Sequence, residues 1–157
     1  MRIGYGHDTH RLEPGGPIRL GGINIPHDHH LDGHSDADVL LHAVTDALLG
    51  AAALGDIGEM FPDTTGANLD RDSAEMLQAA HQRIRQAGYR IGNLDCTVFA
   101  QSPKLTPHKR TIATRIAEIV QIDPSLVGMK AKTGESVGPV GRGEAVVATC
   151  VALIESN

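Results

Sequence analysis

Asp8 and His10 stand two residues apart just after a short opening run. His34-Ser35-Asp36 follows, and His42 falls within a stretch of helical periodicity. In an extended segment alternate side chains point the same way, so Asp8 and His10 share a face over which a helical His42 can close. One carboxylate and two imidazoles form the kind of set that holds zinc in a catalytic site, with a fourth position left open. Cysteine is absent from the neighbourhood, which disfavours a closed structural zinc site. Asp-x-His pairs also arise by chance, and on spacing alone hydrogen-bonded loop residues are the commoner outcome. Asp38 and Asp46, one turn either side of His42, are candidates to orient its ring, or are ordinary exposed helix carboxylates. His27, His29 and His30 sit among Pro26, Asp28 and Asp32 and read as a solvated loop.

A second cluster lies far along the chain. Lys130 and Lys132 alternate on a strand that runs into Thr133, Glu135 and a glycine-rich turn, so cations, a hydroxyl and a carboxylate converge. A polyphosphate with a divalent ion suits this set, although each residue taken singly also fits an ordinary strand end. Asp56-Ile57-Gly58 and Phe61-Pro62-Asp63-Thr64 read as a shaped loop that by itself specifies no chemistry.

The elements that must position these residues alternate between strand and helix. Arg2 to Tyr5 is expected as a strand and Ile18 to Ile25 as a hairpin turning on Gly21-Gly22. Asp36 to Leu54 repeats apolar residues at helical spacing, with Ser35 or Asp36 as cap and Gly55 as stop. A second helix is expected from Ser73 to Ala87, where Asp72 and Glu75 have capping-box spacing. Leu94 to Gln101 alternates as a two-faced strand. Thr106-Pro107 opens a third helix that ends before Asp123-Pro124, and strands near Val127 to Ala131 and Ala145 to Ile154 finish the chain. The expected fold is therefore α/β (α+β), a mixed sheet with helices covering one face, in a single domain over 1–157. The semi-polar face of Asp95, Thr97, Phe99 and Gln101 would then be open to another copy in a symmetric oligomer.

Composition narrows the functional classes. The 157 residues are 41% hydrophobic and 21% charged, which describes a chain able to bury a core. A net charge of -5 argues against a nucleic-acid partner, while a small anionic ligand stays open. Two cysteines in apolar runs, an opening that turns polar early and the lack of a long apolar stretch lead us to expect a cytoplasmic protein with no membrane partner.

Several long blocks in order carry a resemblance. Gly4-Tyr5-Gly6-His7-Asp8-Thr9-His10, His34 to Ala43, Thr45 to Gly58, Phe61-Pro62-Asp63, Ala100 to Lys104, Lys130 to Glu135 and Gly141 to Glu144 closely resemble the 2-C-methyl-D-erythritol 2,4-cyclodiphosphate synthase family. The resemblance spans essentially the whole chain. It implies a metal-dependent lyase of non-mevalonate isoprenoid synthesis. Such an enzyme cyclises 4-diphosphocytidyl-2-C-methyl-D-erythritol 2-phosphate and releases CMP.

The resemblance also implies residue roles. Asp8, His10 and His42 would hold zinc, and Glu135 a second divalent cation, magnesium or manganese. His34 and Thr133 would stabilise the transition state, with Ser35 contacting substrate beside them. Asp56, Ile57, Gly58, Phe61, Pro62, Asp63, Thr64 and Thr65 would form the methylerythritol pocket. Ala100, Gln101, Ser102, Pro103, Lys104, Leu105 and Thr106, with Ala131, Lys132 and Thr133, would form the cytidine pocket, and Arg142 is a further candidate contact. The family assembles as homotrimers with active sites between subunits. Two departures stand out: Lys132 replaces a threonine, and Pro139 replaces an aromatic residue near Arg142, which puts an isoprenoid diphosphate ligand on the trimer axis in doubt. A metal-dependent phosphoesterase and a nonenzymatic trimeric nucleotide-binding module are the competing readings.

Overall fold

A computed structural model describes residues 1–33, 35–62 and 71–157. The sequence expectations for His34 and for Asp63, Thr64 and Thr65 lie outside the described residues. Among the described residues, seven strands run in chain order: β1 (Arg2–Pro14), β2 (Ile18–Leu20), β3 (Ile23–Ile25), β4 (His29–Asp32), β5 (Tyr89–Phe99), β6 (Val127–Lys132) and β7 (Ala145–Ser156). The helices are α1 (Val39–Ala52), α2 (Ile57–Met60), α3 (Ser73–Gln86), α4 (Lys109–Ile119) and α5 (Gly138–Gly141). The main sheet has the order β4-β1-β7-β5-β6, and β2 pairs with β3 as a separate hairpin. Only β5 and β6 are parallel; the other main-sheet pairs are antiparallel, so the sheet is mixed as expected.

β1 is far longer than the expected Arg2 to Tyr5. Its residues Arg2 to Arg11 pair with β7, and Arg11 to Pro14 pair with β4. That ladder satisfies the backbone of a polar stretch which lacks the usual strand residues, a case of tertiary pairing overriding local propensity. β4 was expected as solvated loop; it is a strand because Leu31 is buried and its backbone finds β1.

Alternation along β1 decides the site. Ile3, Tyr5, His7 and Thr9 are exposed on one face, while Gly4, Gly6, Asp8 and His10 turn toward α1. A Cβ on Gly4 would lie 1.9 Å from the Ala47 carbonyl oxygen, and one on Gly6 1.9 Å from the Ala43 oxygen. The strand thus touches the helix backbone to backbone.

α1 is buried nearly all round, with Leu40, Leu41, Val44, Leu48 and Leu49 fully enclosed. Its cap is Asp38 rather than Ser35 or Asp36, and its carboxylate accepts from the Leu41 N–H at 3.0 Å. The helix stops at Ala53 with φ 56°, two residues before the expected Gly55, because the Ala53 N–H closes back on Gly50. α3 matches expectation to one residue, capped by Asp72. The expected cap Thr106 instead opens a 3₁₀ turn, Thr106–His108, and α4 follows from Lys109. Leu94, Cys96 and Val98 of β5 face the helices and are buried, while Asp95, Thr97 and Phe99 line the opposite, half-exposed face. Ile3, Tyr5 and Val151 on β1 and β7 are large apolar residues left exposed. Among the described residues no helix is long and apolar enough to cross a membrane.

The β1–α1 contact can be tested directly. Gly6→Ala drives a methyl into the Ala43 oxygen and within 2.7 Å of the Ala47 nitrogen, both backbone atoms. It is expected to lower unfolding stability by the upper part of the ~1–3 kcal/mol range of overpacking, read from a urea titration. An unchanged midpoint would show that strand and helix do not touch there.

Candidate metal centre

Asp8, His10 and His42 meet as their spacing suggested. Asp8 Oδ2 lies 2.9 Å from His10 Nε2 and 2.9 Å from His42 Nδ1, and the two nitrogens are 3.3 Å apart. The three half-buried side chains point three donor atoms at one spot. They open onto a cavity of about 390 Å³ that is also lined by Ser35, Ile57, Gly58 and Phe61.

The surroundings aim each group. Asp8 Oδ1 accepts from the Thr9 N–H at 2.8 Å, which leaves Oδ2 for the histidines. His10 Nδ1 lies 2.6 Å from the Asp32 carbonyl oxygen. A carbonyl only accepts, so Nδ1 carries the proton and a neutral His10 presents Nε2 as a bare lone pair. Gly33 lies against this ring, and a Cβ there would come within 2.5 Å of His10 Cε1. Two acceptors held 2.9 Å apart call for a cation between them, either a second proton on His10 or a metal ion. Burial opposes the charge on His10, but the hydrogen bond and charge of Asp8 and the Asp32 carbonyl raise its pKa. Burial likewise works to raise Asp8, and hydrogen bonds and charge from His10 and His42 outweigh it, holding the carboxyl well below the usual range. One carboxylate and two imidazoles so arranged fit zinc.

The candidates Asp38 and Asp46 do not orient His42. Asp38 is fully buried and also accepts from Gly21 N at 2.8 Å and Gly22 N at 2.6 Å, tying the β2–β3 hairpin to α1. Asp46 accepts from Ile57 N at 2.8 Å and so anchors α2, which Asp56 caps through the Glu59 N–H. Instead Ser35 and Ser73 stand behind His42, each 2.9 Å from Nε2. Ser73 and Asp32 were missed in the sequence. Their only signals were a capping motif at Asp72 and a place in a polar loop.

The second cluster forms elsewhere. Lys130 is committed to Asp95 at 2.6 Å, so it is no free cation. Thr133 donates to Glu135 at 2.6 Å on a turn where Glu135 and Ser136 both have positive φ. The Ala100 N–H donates to the Lys132 carbonyl at 2.9 Å, which joins the segments 100–106 and 131–133 side by side. None of these residues lines the cavity at Asp8, so the two clusters lie apart on one chain. Arg142 grips Glu144 with two bonds of 2.7 and 3.1 Å. The histidine loop is less solvated than expected. His27 is largely buried, accepts the His29 N–H at Nδ1 and places Nε2 3.1 Å from Ser102 Oγ.

Comparisons with known proteins agree with this geometry. The profile of the YgbB family matches residues 1–155. The 2-C-methyl-D-erythritol 2,4-cyclodiphosphate synthase of Gemmatimonas aurantiaca is 53% identical over 98% of this chain and 93% of its own length. That of Shouchella clausii is 50% identical over 99% and 98%. Among solved structures, a CDP-bound 2C-methyl-D-erythritol-2,4-cyclodiphosphate synthase superposes with TM-score 0.90 at 35% identity, covering 98% of this chain and all of its own. The bifunctional IspDF of Campylobacter jejuni reaches TM-score 0.96 at 38% identity over 99% of this chain, which spans 42% of that longer protein. The chain belongs to the YgbB family, the family of the 2-C-methyl-D-erythritol 2,4-cyclodiphosphate synthases.

Proposed function

We propose that the chain, as a single domain over 1–157, converts 4-diphosphocytidyl-2-C-methyl-D-erythritol 2-phosphate to 2-C-methyl-D-erythritol 2,4-cyclodiphosphate and CMP in the cytoplasm. The observation that carries this is the convergence of Asp8, His10 and His42 at the mouth of a cavity, in a chain of this family. An oxygen of the 2-phosphate attacks the β-phosphorus, the α–β anhydride bond breaks, and CMP leaves. No side-chain nucleophile is required, because a phosphate with a second pKa near ~6 is already largely ionised at neutral pH. The protein's work is to hold two phosphates that repel each other and to neutralise charge on the one transferred.

Asp8, His10 and His42 would hold zinc, which would supply Lewis-acid chemistry at this end of the cavity. Glu135, whose exposed carboxylate accepts from Thr133, would hold a second divalent cation, magnesium or manganese, which would neutralise diphosphate charge. His34 and Thr133 are assigned to transition-state charge, and Ser35 to a substrate contact. The wall of Ile57, Gly58 and Phe61, with Asp56, Pro62, Asp63, Thr64 and Thr65, is assigned to the methylerythritol moiety. The adjoining backbones of 100–106 and 131–133, with Lys132, are assigned to cytidine. With two tyrosines, two phenylalanines and no tryptophan in the chain, backbone groups rather than stacking would read the base.

Two half-sites on one chain favour an assembly in which neighbours complete each other. A homotrimer packed through the open sheet face serves this need. The exposed Ile3, Tyr5 and Val151 support it, as does an apolar groove on that face lined by His7, Phe99, Val140 and Val147. Light scattering should return three times the 16.6 kDa chain mass, and Tyr5→Asp should lower both the mass and turnover. A monomeric, fully active wild type would refute the shared site.

The reaction is checked by supplying the diphosphocytidyl substrate with zinc and magnesium and following phosphorus NMR. Equal amounts of CMP and cyclodiphosphate are expected, whereas release of inorganic phosphate would mark a phosphoesterase and binding without turnover a nucleotide-binding module. His42→Ala should cost more than the ~10–100-fold typical of losing a partner behind a ligand. Full activity and zinc content in that variant would remove His42 from the site.

A further inference from the structure

Resting on the metal reading above, we propose that Ser73 and Asp36 are positioning residues that dictate which nitrogen of His42 carries its proton, leaving Nδ1 bare for the metal. Ser73 is fully buried at the start of α3, with Oγ 2.9 Å from His42 Nε2. The same hydroxyl donates to Asp36 Oδ1 in a very short bond. Arg19 of β2, which has no acceptor, donates to Asp36 Oδ2 at 2.6 Å and to Asp72 at 3.2 Å. The Asp38 N–H also points at Asp36 Oδ1, at 3.4 Å.

Asp36 is therefore surrounded by donors and serves as an acceptor. A hydroxyl has one proton, and Ser73 gives its proton to Asp36. Toward His42 it can show only a lone pair, so Nε2 must be the N–H. A neutral imidazole has one ring proton, and Nδ1 then faces Asp8 and His10 with nothing on it. Ser35 Oγ, also 2.9 Å from Nε2, receives the Ala37 N–H at 3.3 Å and lies 3.4 Å from Ser73 Oγ, whose second lone pair can take the Ser35 proton and keep it off Nε2. The chain of donors thus runs from β2 through the loop before α1 to the start of α3. None of these elements supplies a metal ligand. His10 is set the same way by a simpler device, the Asp32 carbonyl.

Asp36→Asn separates polarity from packing. Arg19 can only donate, so the asparagine oxygen stays with Arg19 and its NH₂ turns to Ser73. The Ser73 proton then swings to His42 Nε2 and displaces the ring proton to Nδ1. In the full chain, zinc affinity measured by competition with a chromophoric chelator should fall about 10–100-fold in Asp36→Asn and in Ser73→Ala. Asp8 draws the ring proton toward Nδ1 in the zinc-free protein, so nitrogen-15 NMR of labelled histidine, at a pH where the imidazoles are neutral, should show a larger share of the Nε2–H form of His42 in the wild type than in Asp36→Asn. Ser73→Thr, which keeps the hydroxyl, should restore most of the affinity lost in Ser73→Ala. Circular dichroism checks folding, and the isosteric Asp36→Asn carries the test if Ser73→Ala does not fold. Variants that bind zinc within twofold of wild type with the wild-type tautomer overturn the proposal. A wild-type chain that takes up no zinc overturns the metal reading itself and the positioning role with it.

Discussion

Everything at the site depends on how closely β1 approaches α1. Gly4 and Gly6 have no side chains, so the strand settles onto the helix with the Ala43 and Ala47 carbonyls where Cβ atoms would otherwise be. Strand alternation then delivers Asp8 and His10 to that same face, two and four residues further on. The helix delivers His42, one position before Ala43. With a bulky residue at position 4 or 6 the strand would stand off by ångströms, and donor atoms now 2.9 Å apart would no longer share a ligand. Buried backbone contact of this kind is costly to shift because neither partner can rotate away.

Much of this was legible, for identifiable reasons. The α1 pattern over Leu40, Val44, Ala47, Leu48 and Ala51 is strong because one long helix lies across three strands of the sheet. Its start differs from the expectation because two carboxylates compete there. Asp36 looks like a cap, but it is held by Arg19 and Ser73 across the fold, and Asp38 takes the cap while fastening the hairpin. The triad's spacing was visible, yet its meaning came from the several blocks shared with a family and from the geometry that brings it together. The histidine loop misled for the opposite reason. Polar composition suggests solvent, but His27 uses both ring nitrogens internally and the following residues join the sheet edge. What sequence patterns miss is pairing between segments far apart, and β4, Asp32 and Ser73 all belong to that class.

Charge at the centre is arranged from outside inward. Asp8 is the carboxylate bonded to both histidines, Asp32 and Asp46 line the same cavity, and the groups behind each histidine are neutral oxygens, a carbonyl for His10 and hydroxyls for His42. The next carboxylate, Asp36, is compensated by Arg19. A further negative group facing inward would strengthen cation binding but oppose the approach of phosphates, which are themselves anions. A site meant to hold both a dication and a phosphate does best with few charges of its own and with dipoles that fix geometry.

The separation of the two half-sites follows from the same sheet. Asp8 and His10 lie on the helix-covered face of β1 near one edge, while Thr133 and Glu135 follow β6 at the other edge, with β7 and β5 between. Three strand spacings of about 4.8 Å separate β1 from β6, and β6 is held beside β5 by their parallel ladder and the Ala100 N–H bond to the Lys132 carbonyl. On the proposed reaction both clusters grip one diphosphate at once, which a second copy in the proposed homotrimer would allow. In the proposed homotrimer the exposed Ile3, Tyr5 and Val151 would have a role beyond solubility, because the contact that hid them would also build the active site. Assembly and catalysis would in that case share one interface, and a substitution far from any ligand could abolish turnover by weakening it.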